Sequence, residues 1–463
     1  MKVNSLIGDR AFYKKALSFA IPVMIQNGIT NLVNLLDNVM VGSLGTESMS
    51  GVSIVNQFVF IFNLLIFGAV SAGGIFSAQY HGLKDDVGVR NTFRFKFLIN
   101  LVFSVIAVIL FLGLDEWLVS TFLHAGEGSG ELDPALTLSE GVDYLRVFVV
   151  GLIPYAITQV YASTLRETEE TKLPMYAAVI ALLGNFFLNI LFIFVFKQGV
   201  RGAALATVIS RFAELFFILF ATHRKSHVYT FIVGAYRSFK IPTSLVRGIL
   251  VRGFPLIINE LLWSLSITLR NQAYSMRGLD AVAAINISSV IINLINVTYM
   301  AFGSSASIIV GEKLGAGKIS EAKDTARKLL ALSMAVALSA GLLMAIVAPI
   351  FPKIYDTTDT VRSLSAYMTW VTAVTIPFFA FSYCAYYIIR SGGRVILTFI
   401  LDSGVMWTAV MPLTLILAHF TGVSIFWLYL IGQMAEIVKL VPGIMMLKSG
   451  SWALSIVSKN ARE

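Results

Sequence analysis

The chain has 463 residues, of which 57% are hydrophobic and only 13% charged. A water-soluble fold of that length needs far more polar surface, which excludes a soluble enzyme or a nucleic-acid-binding protein. The formal net charge of +9 therefore points to loops facing anionic lipid, with no nucleic acid as partner.

Apolar runs of about 20 residues, enough to cross a hydrocarbon core of about 30 Å, recur along the chain. Spans are predicted at 16–40, 50–79, 95–113, 142–164, 173–196, 202–222, 254–276, 283–310, 327–351, 364–389, 395–418 and 423–447. The expected fold class is all-α integral membrane, with twelve transmembrane helices. No small-residue cleavage site follows the basic start (Arg10, Lys14, Lys15), so the first span is expected to be retained. Cys384 is the only cysteine, and no intrachain disulfide is possible.

Lysines and arginines set the expected orientation. With the N-terminus inside, inner segments hold Arg10, Lys14, Lys15, then Lys84, Arg90, Arg94, Lys96, then Arg166 and Lys172, and on through the basic stretch Arg224–Arg252, Lys313–Lys328, Arg390, Arg394 and Lys448. Only Lys197, Arg201, Arg277, Lys353 and Arg362 fall outside. This bias predicts a multi-pass protein of the cell's inner (cytoplasmic) membrane, with both termini in the cytoplasm.

The chain repeats itself. One constant offset places Pro22 on Pro255, Leu36 on Leu269, Asn38 on Asn271, Gly45 on Gly278, Asn63 on Asn296, Gly82 on Gly315 and Arg94 on Arg327. After a longer outer loop in the first half (124–140, with Gly126, Gly128 and Gly130), a slightly smaller offset aligns Tyr144 with Tyr367 and Pro154 with Pro377. An internal duplication of six-span units makes a parallel repeat, the layout of a transporter. The expected organisation is an amino-terminal lobe at 1–222, a basic cytoplasmic linker at 223–253 with Gly234 and Pro242, and a carboxy-terminal lobe at 254–463.

Polar side chains sit where lipid would be. In the first span Gln26, Asn27, Thr30, Asn31, Asn34, Asp37 and Asn38 recur every three or four residues and line one helix face. A centrally placed Asp costs about 2.5–3.5 kcal/mol in a bilayer, so this stripe is expected to face a cavity. Asn286, Ser289, Asn293 and Asn296 repeat the device in the eighth span. Interhelical hydrogen bonding, at about 0.6 kcal/mol per contact, is the alternative for any single Asn. The seventh span carries Glu260 and Arg270, which the repeat aligns with Asn27 and Asp37. An attraction between Asp37 and Arg270 is expected, against the alternative of locked structural pairs. The candidate substrate cavity is thus Gln26, Asn27, Asn34, Asn38, Glu260, Trp263, Arg270 and Asn293. Arg211 with Glu214, and Glu436 with Lys439, are spaced to neutralise each other locally. Asp402, beside Trp407, has no evident partner. Pro154 and Pro377 predict kinks at matching places in the two halves.

No motif for catalysis or for a metal survives inspection. Gly315-Ala316-Gly317-Lys318 resembles a phosphate loop, but Glu312 holds the required glycine position and Ile319 follows the lysine. His223 and His227 share a helix face in the basic linker without carboxylate or Cys neighbours, which favours solvated histidines. No enzyme activity and no cofactor are expected.

Several segments together resemble the multidrug and toxic compound extrusion (MATE) transporters. They are Pro22 to Gln26 with Asp37-Asn38-Val39-Met40-Val41-Gly42-Ser43-Leu44-Gly45, Gln79 to Gly82, and Gly199-Val200-Arg201-Gly202-Ala203-Ala204-Leu205-Ala206-Thr207. The resemblance runs along essentially the whole chain. It implies two six-helix bundles in a V, and export of amphipathic, often cationic compounds by antiport against H+ or Na+ from a monomer. It further implies an ion-coupling site of Asp37, Asn185, Asn189 and Thr207, in which Asn189 stands where part of the family has a second Asp. Other members use a seventh-span Glu, to which Glu260 is similar. A lipid-linked precursor flippase of the wider superfamily, and a non-transporting scaffold or channel, are the alternatives. The major facilitator fold is disfavoured because its loop motif is missing after the second span.

Overall fold

The computed structural model describes residues 6–123 and 133–457, and these are helical with no β-strand. The main elements are α1 (Arg10–Gly42), α2 (Thr46–Gly82), α3 (Asp86–Gly113), the short α4 (Asp115–Leu123), α5 (Pro134–Phe148), α6 (Leu152–Glu167), α7 (Lys172–Asn189) and α8 (Gly199–Arg224). The second half holds α9 (Thr243–Ser275), α10 (Leu279–Gly315), α11 (Ile319–Val347), α12 (Asp359–Ser391), α13 (Val395–Phe399), α14 (Met411–Phe420), α15 (Ile425–Ala435) and α16 (Leu440–Ser449). Glycines 126, 128 and 130 of the predicted outer loop lie outside the described residues.

Eleven of the described helical stretches are long and apolar enough to cross a membrane. The exception among the predicted spans is α9, whose 33 residues suffice in length but which carries Arg247, Arg252, Glu260 and Arg270. Every predicted span coincides with a helical stretch to within a few residues, except where helices run on into polar ends that hydropathy does not register.

The duplication is visible in the helix bounds themselves. Helices α1 and α9 each have 33 residues, α2 and α10 each have 37, and both pairs start and stop at the same offset. The mate of Arg10 is thus Thr243, so the seventh helix begins well before 254 and the connection shrinks to 225–242. Arg247 and Arg252 made that first stretch read as linker. Arg252 instead lies over the Phe76 ring at 5.4 Å.

The connection is itself packed. Arg94 donates to the carbonyls of Gly234 (2.8 Å) and Ala235 (2.7 Å), and Tyr229 donates to Glu170 at 2.9 Å. Phe93, Tyr161, Phe231 and Tyr236 form an aromatic cluster. His223 is not merely solvated: its Nε2 lies 3.1 Å from the Tyr161 hydroxyl.

The chain divides into two compact units, one of Ile25–Ser77 and Asp85–Gly253, the other of Met1–Met24, Ala78–Lys84 and Phe254–Glu463. In the second, α2 and α10 cross at contact between backbones. A Cβ on Gly82 would collide with the Glu312 carbonyl, and one on Gly315 with the Gln79 carbonyl. Gln79 and Glu312 are repeat mates, as are the two glycines, so the crossing is reciprocal. Small residues are what allow helix backbones to approach so closely. Buried Gln79 donates to the carbonyls of Ser391 (2.8 Å) and Leu454 (3.1 Å) and accepts from the Ile456 amide (2.8 Å). Lys15 pairs with Glu312 at 2.8 Å. Because the obstructing atoms are backbone, Gly82→Ala or Gly315→Ala is expected to cost at least about 1–3 kcal/mol, the scale of overpacking. A lowered thermal midpoint of purified protein checks this; an unchanged one removes the crossing as a constraint.

Candidate functional site

Helical periodicity places Gln26, Asn27, Asn34, Asp37 and Asn38 toward one side of α1. On α7, Asn185 and Asn189 lie one turn apart and therefore share a face. After Asn189 the chain winds wider, as a π-helix over Ile190–Val195, a distortion frequent at functional positions. Gly199, at φ +59°, then starts α8, and two turns later α8 supplies Thr207.

These residues form a continuous hydrogen-bonded row. Asn189 Nδ2 donates to Asp37 Oδ1 at 2.6 Å and to Asn185 Oδ1 at 3.1 Å. Asn185 Nδ2 donates to Thr207 Oγ1 at 3.2 Å, and the Thr207 hydroxyl donates to the Ala203 carbonyl at 3.2 Å. Asn189 is fully buried, and its Oδ1 has no hydrogen-bond partner among the described residues. Arg211 is within electrostatic reach of Asp37. It also donates to the Gly151 carbonyl at 3.3 Å and lies over the rings of Phe148 (4.5 Å) and Tyr155 (4.9 Å). Elsewhere on the stripe, Gln26 accepts from Arg166 at 2.9 Å, Asn27 is half-buried, and Asn34 and Asn38 are exposed.

The second polar centre lies in the other unit. Asp402 sits in another π-wound stretch, Ile400–Gly404, and accepts from Lys439 at 2.8 Å on Oδ1 and from Asn259 at 3.0 Å on Oδ2. Ser403 donates to Asn259 Oδ1 at 2.7 Å. Glu436 takes Arg270 on one oxygen, and its other oxygen lies 3.7 Å from Lys439. Glu260 is within electrostatic reach of Arg390 and Asp402. Trp263 is half-buried and Asn293 exposed.

Residues 22–191 and 255–416 match the model of the family described as MatE. The chain belongs to the MATE transporter family. Among curated relatives, the probable multidrug resistance protein NorM of Thermotoga maritima is 22% identical over 454 residues, covering 95% of this chain and 93% of its own. The multidrug export protein MepA of Staphylococcus saprophyticus is 26% identical over 285 residues, covering 60% of this chain and 59% of its own. A solved multidrug-resistance MATE transporter in an outward-facing conformation is 21% identical, with a TM-score of 0.85 over 97% of this chain and 99% of that one. At that identity the likeness establishes the MATE fold and nothing finer.

Within this MATE fold, Asp37, Asn185, Asn189 and Thr207 come together in one row. Arg270 and Asp37 each have a partner within their own unit, Glu436 and Asn189 respectively. Asp402, without an evident partner in the sequence, has two. Glu436 and Lys439 do approach each other, but each makes its shorter contact elsewhere. Sequence reading missed Asn259, although the repeat aligns it with Gln26, and that alignment was the available signal. Lys96, assigned to an inner segment, is fully buried in α3.

Proposed function

We propose that this MATE transporter exports small amphipathic, often cationic compounds in exchange for an ion, with Asp37 as the carboxylate that carries that ion. The observation that carries this reading is the row Asp37–Asn189–Asn185–Thr207. An ionisable group within a span is expensive and is by default functional; here it heads a row of neutral amides and a hydroxyl, with Arg211 within electrostatic reach.

The donor set favours the proton as coupling ion. The row holds one carboxylate, Asp37, with Asn189 donating to it where part of the family has a second Asp, so the second negative charge that would hold a sodium ion tightly is missing. An amide also serves both protonation states. It donates from nitrogen to the carboxylate and, turned over, accepts at oxygen from the acid; the unpartnered Oδ1 of Asn189 is the acceptor such a turn would use. Proton uptake on one side, release on the other and exclusion of drug by the protonated form would complete an exchange cycle. We place both termini in the cytoplasm, following the Lys and Arg bias, with the connection 225–242 between the two repeated six-helix lobes.

Efflux of a fluorescent cation, with pH and sodium gradients imposed separately, tests this. Efflux driven by the pH gradient alone is expected. Efflux driven only by sodium overturns the proton reading.

Glu260 is proposed to meet cationic substrate. Glu260→Gln is expected to lower export of cations several-fold while sparing neutral compounds, at equal protein in the membrane. Equal loss for both classes, or no loss, removes Glu260 from substrate recognition.

A further inference from the structure

Two carboxylates of the second polar centre, Asp402 and Glu436, are already occupied by the chain's own cations. Lys439 places its ammonium 2.8 Å from Asp402 and 3.7 Å from Glu436, while Arg270 takes the remaining oxygen of Glu436 and Asn259 the remaining oxygen of Asp402. All four carboxylate oxygens have a partner, and two acids face two bases. The lysine side chain is 8% exposed, against 23% for Asp402 and 15% for Glu436, so it is the most deeply placed of the three.

We propose that Lys439 is a tethered cation filling a monovalent-cation pocket between Asp402 and Glu436, so that these two carboxylates take no free ion. An ammonium is a compact point charge with three donors and the side chain closest in form to a small cation. The guanidinium of Arg270, planar and forked, cannot play that part. The arrangement also differs from the row around Asp37, where no side-chain cation makes a hydrogen bond to the carboxylate among the described residues. Lys439 is thereby a specificity-determining residue: it removes Asp402 and Glu436 from ion exchange. This consequence rests on the exchange reading above; the pocket itself does not.

A simple structural ion network competes with this inference, since it too would hold α9, the 400–410 segment and the turn 436–439 between α15 and α16 together. The two differ when the lysine is shortened. A structural network loses stability whatever salt is present, whereas a cation pocket gains affinity for a free ion of the right size.

The test measures binding, not transport, so failure of the antiport reading leaves it interpretable. Purified Lys439→Ala is made in an Asp37→Asn background to silence the other centre. Radioactive sodium binding and the thermal midpoint are compared in sodium chloride and N-methylglucamine chloride at equal ionic strength. The expected result is saturable sodium binding absent from the Lys439 parent, with a midpoint raised by several degrees in sodium, and loss of both when Asp402→Asn is added. If the alanine variant does not fold, Lys439→Gln, which keeps a donor for Asp402 but no charge, is read in the same way. Equal response to both salts, a response to pH only, or sodium binding by the Lys439 parent that Asp402→Asn abolishes would each overturn the proposal.

Discussion

Asp37→Asn is expected to leave the protein inserted and folded while drug efflux falls to background. Asparagine has nearly the shape of aspartate and keeps an oxygen that can accept from Asn189 Nδ2, which donates at 2.6 Å, so the row through Asn185 to Thr207 has no reason to collapse. What it loses is the ability to take up and give back a charge. A carrier fixed in the equivalent of its protonated form cannot complete an exchange cycle, and any residual flux should no longer vary with pH. Efflux normalised to the amount of protein in the membrane checks this. Wild-type pumping by the Asn variant would make Asp37 a structural residue.

Lys96→Met is the second change with a large expected effect, this time on stability. The Lys96 ammonium is fully buried in α3, 2.7 Å from Glu167 and 3.1 Å from Ser163 on α6. Helix α2 makes room for the pair with two glycines: a Cβ on Gly73 would sit 2.6 Å from Lys96 Cγ, and one on Gly74 at 2.6 Å from Glu167 Oε1. Removing one member strands the other charge in a water-poor interior, a loss of about 3–5 kcal/mol in comparable buried pairs. Replacing both members by apolar side chains of similar size removes the stranded charge. Lys96→Met with Glu167→Met should therefore recover much of the lost midpoint, even though two residues have changed instead of one. A double variant as damaged as the sum of the two single variants would mean that the pair acts through something other than charge compensation.

Lys96 also shows where sequence reading stops. Its neighbours Arg90 and Arg94 reach the 230–235 connection, and in sequence nothing separates their environment from that of Lys96, two residues on. The partner, Glu167, is brought up only when α6 packs beside α3. The spans, by contrast, were legible because the length of an apolar run is a local property, and the duplication because residues such as Pro22 and Pro255, Asn38 and Asn271, and Gly45 and Gly278 repeat at one offset. Asp37 stood out as a carboxylate in an apolar run. Its companions on α7 and α8 were reached through the family resemblance, since a spacing of more than a hundred residues carries no local signal.

The carboxy-terminal centre was read least well for the same reason. Glu436 and Lys439 look like a self-sufficient pair at helical spacing, yet Arg270 and Asp402 approach them from other segments. The wide winding of Ile400–Gly404, which carries Asp402, is a backbone feature with no marker in composition. Where a buried side chain has a choice between a local and a distant partner, packing decides it.

The account's central claim, that drug export is paid for by ion movement through Asp37, is tested most directly in everted membrane vesicles carrying an imposed pH gradient. Adding a cationic drug should collapse the gradient in vesicles containing the wild-type protein, with a rate that saturates in drug, and should leave it untouched in vesicles containing equal amounts of Asp37→Asn. Drug-dependent collapse of the same rate in both would contradict the claim.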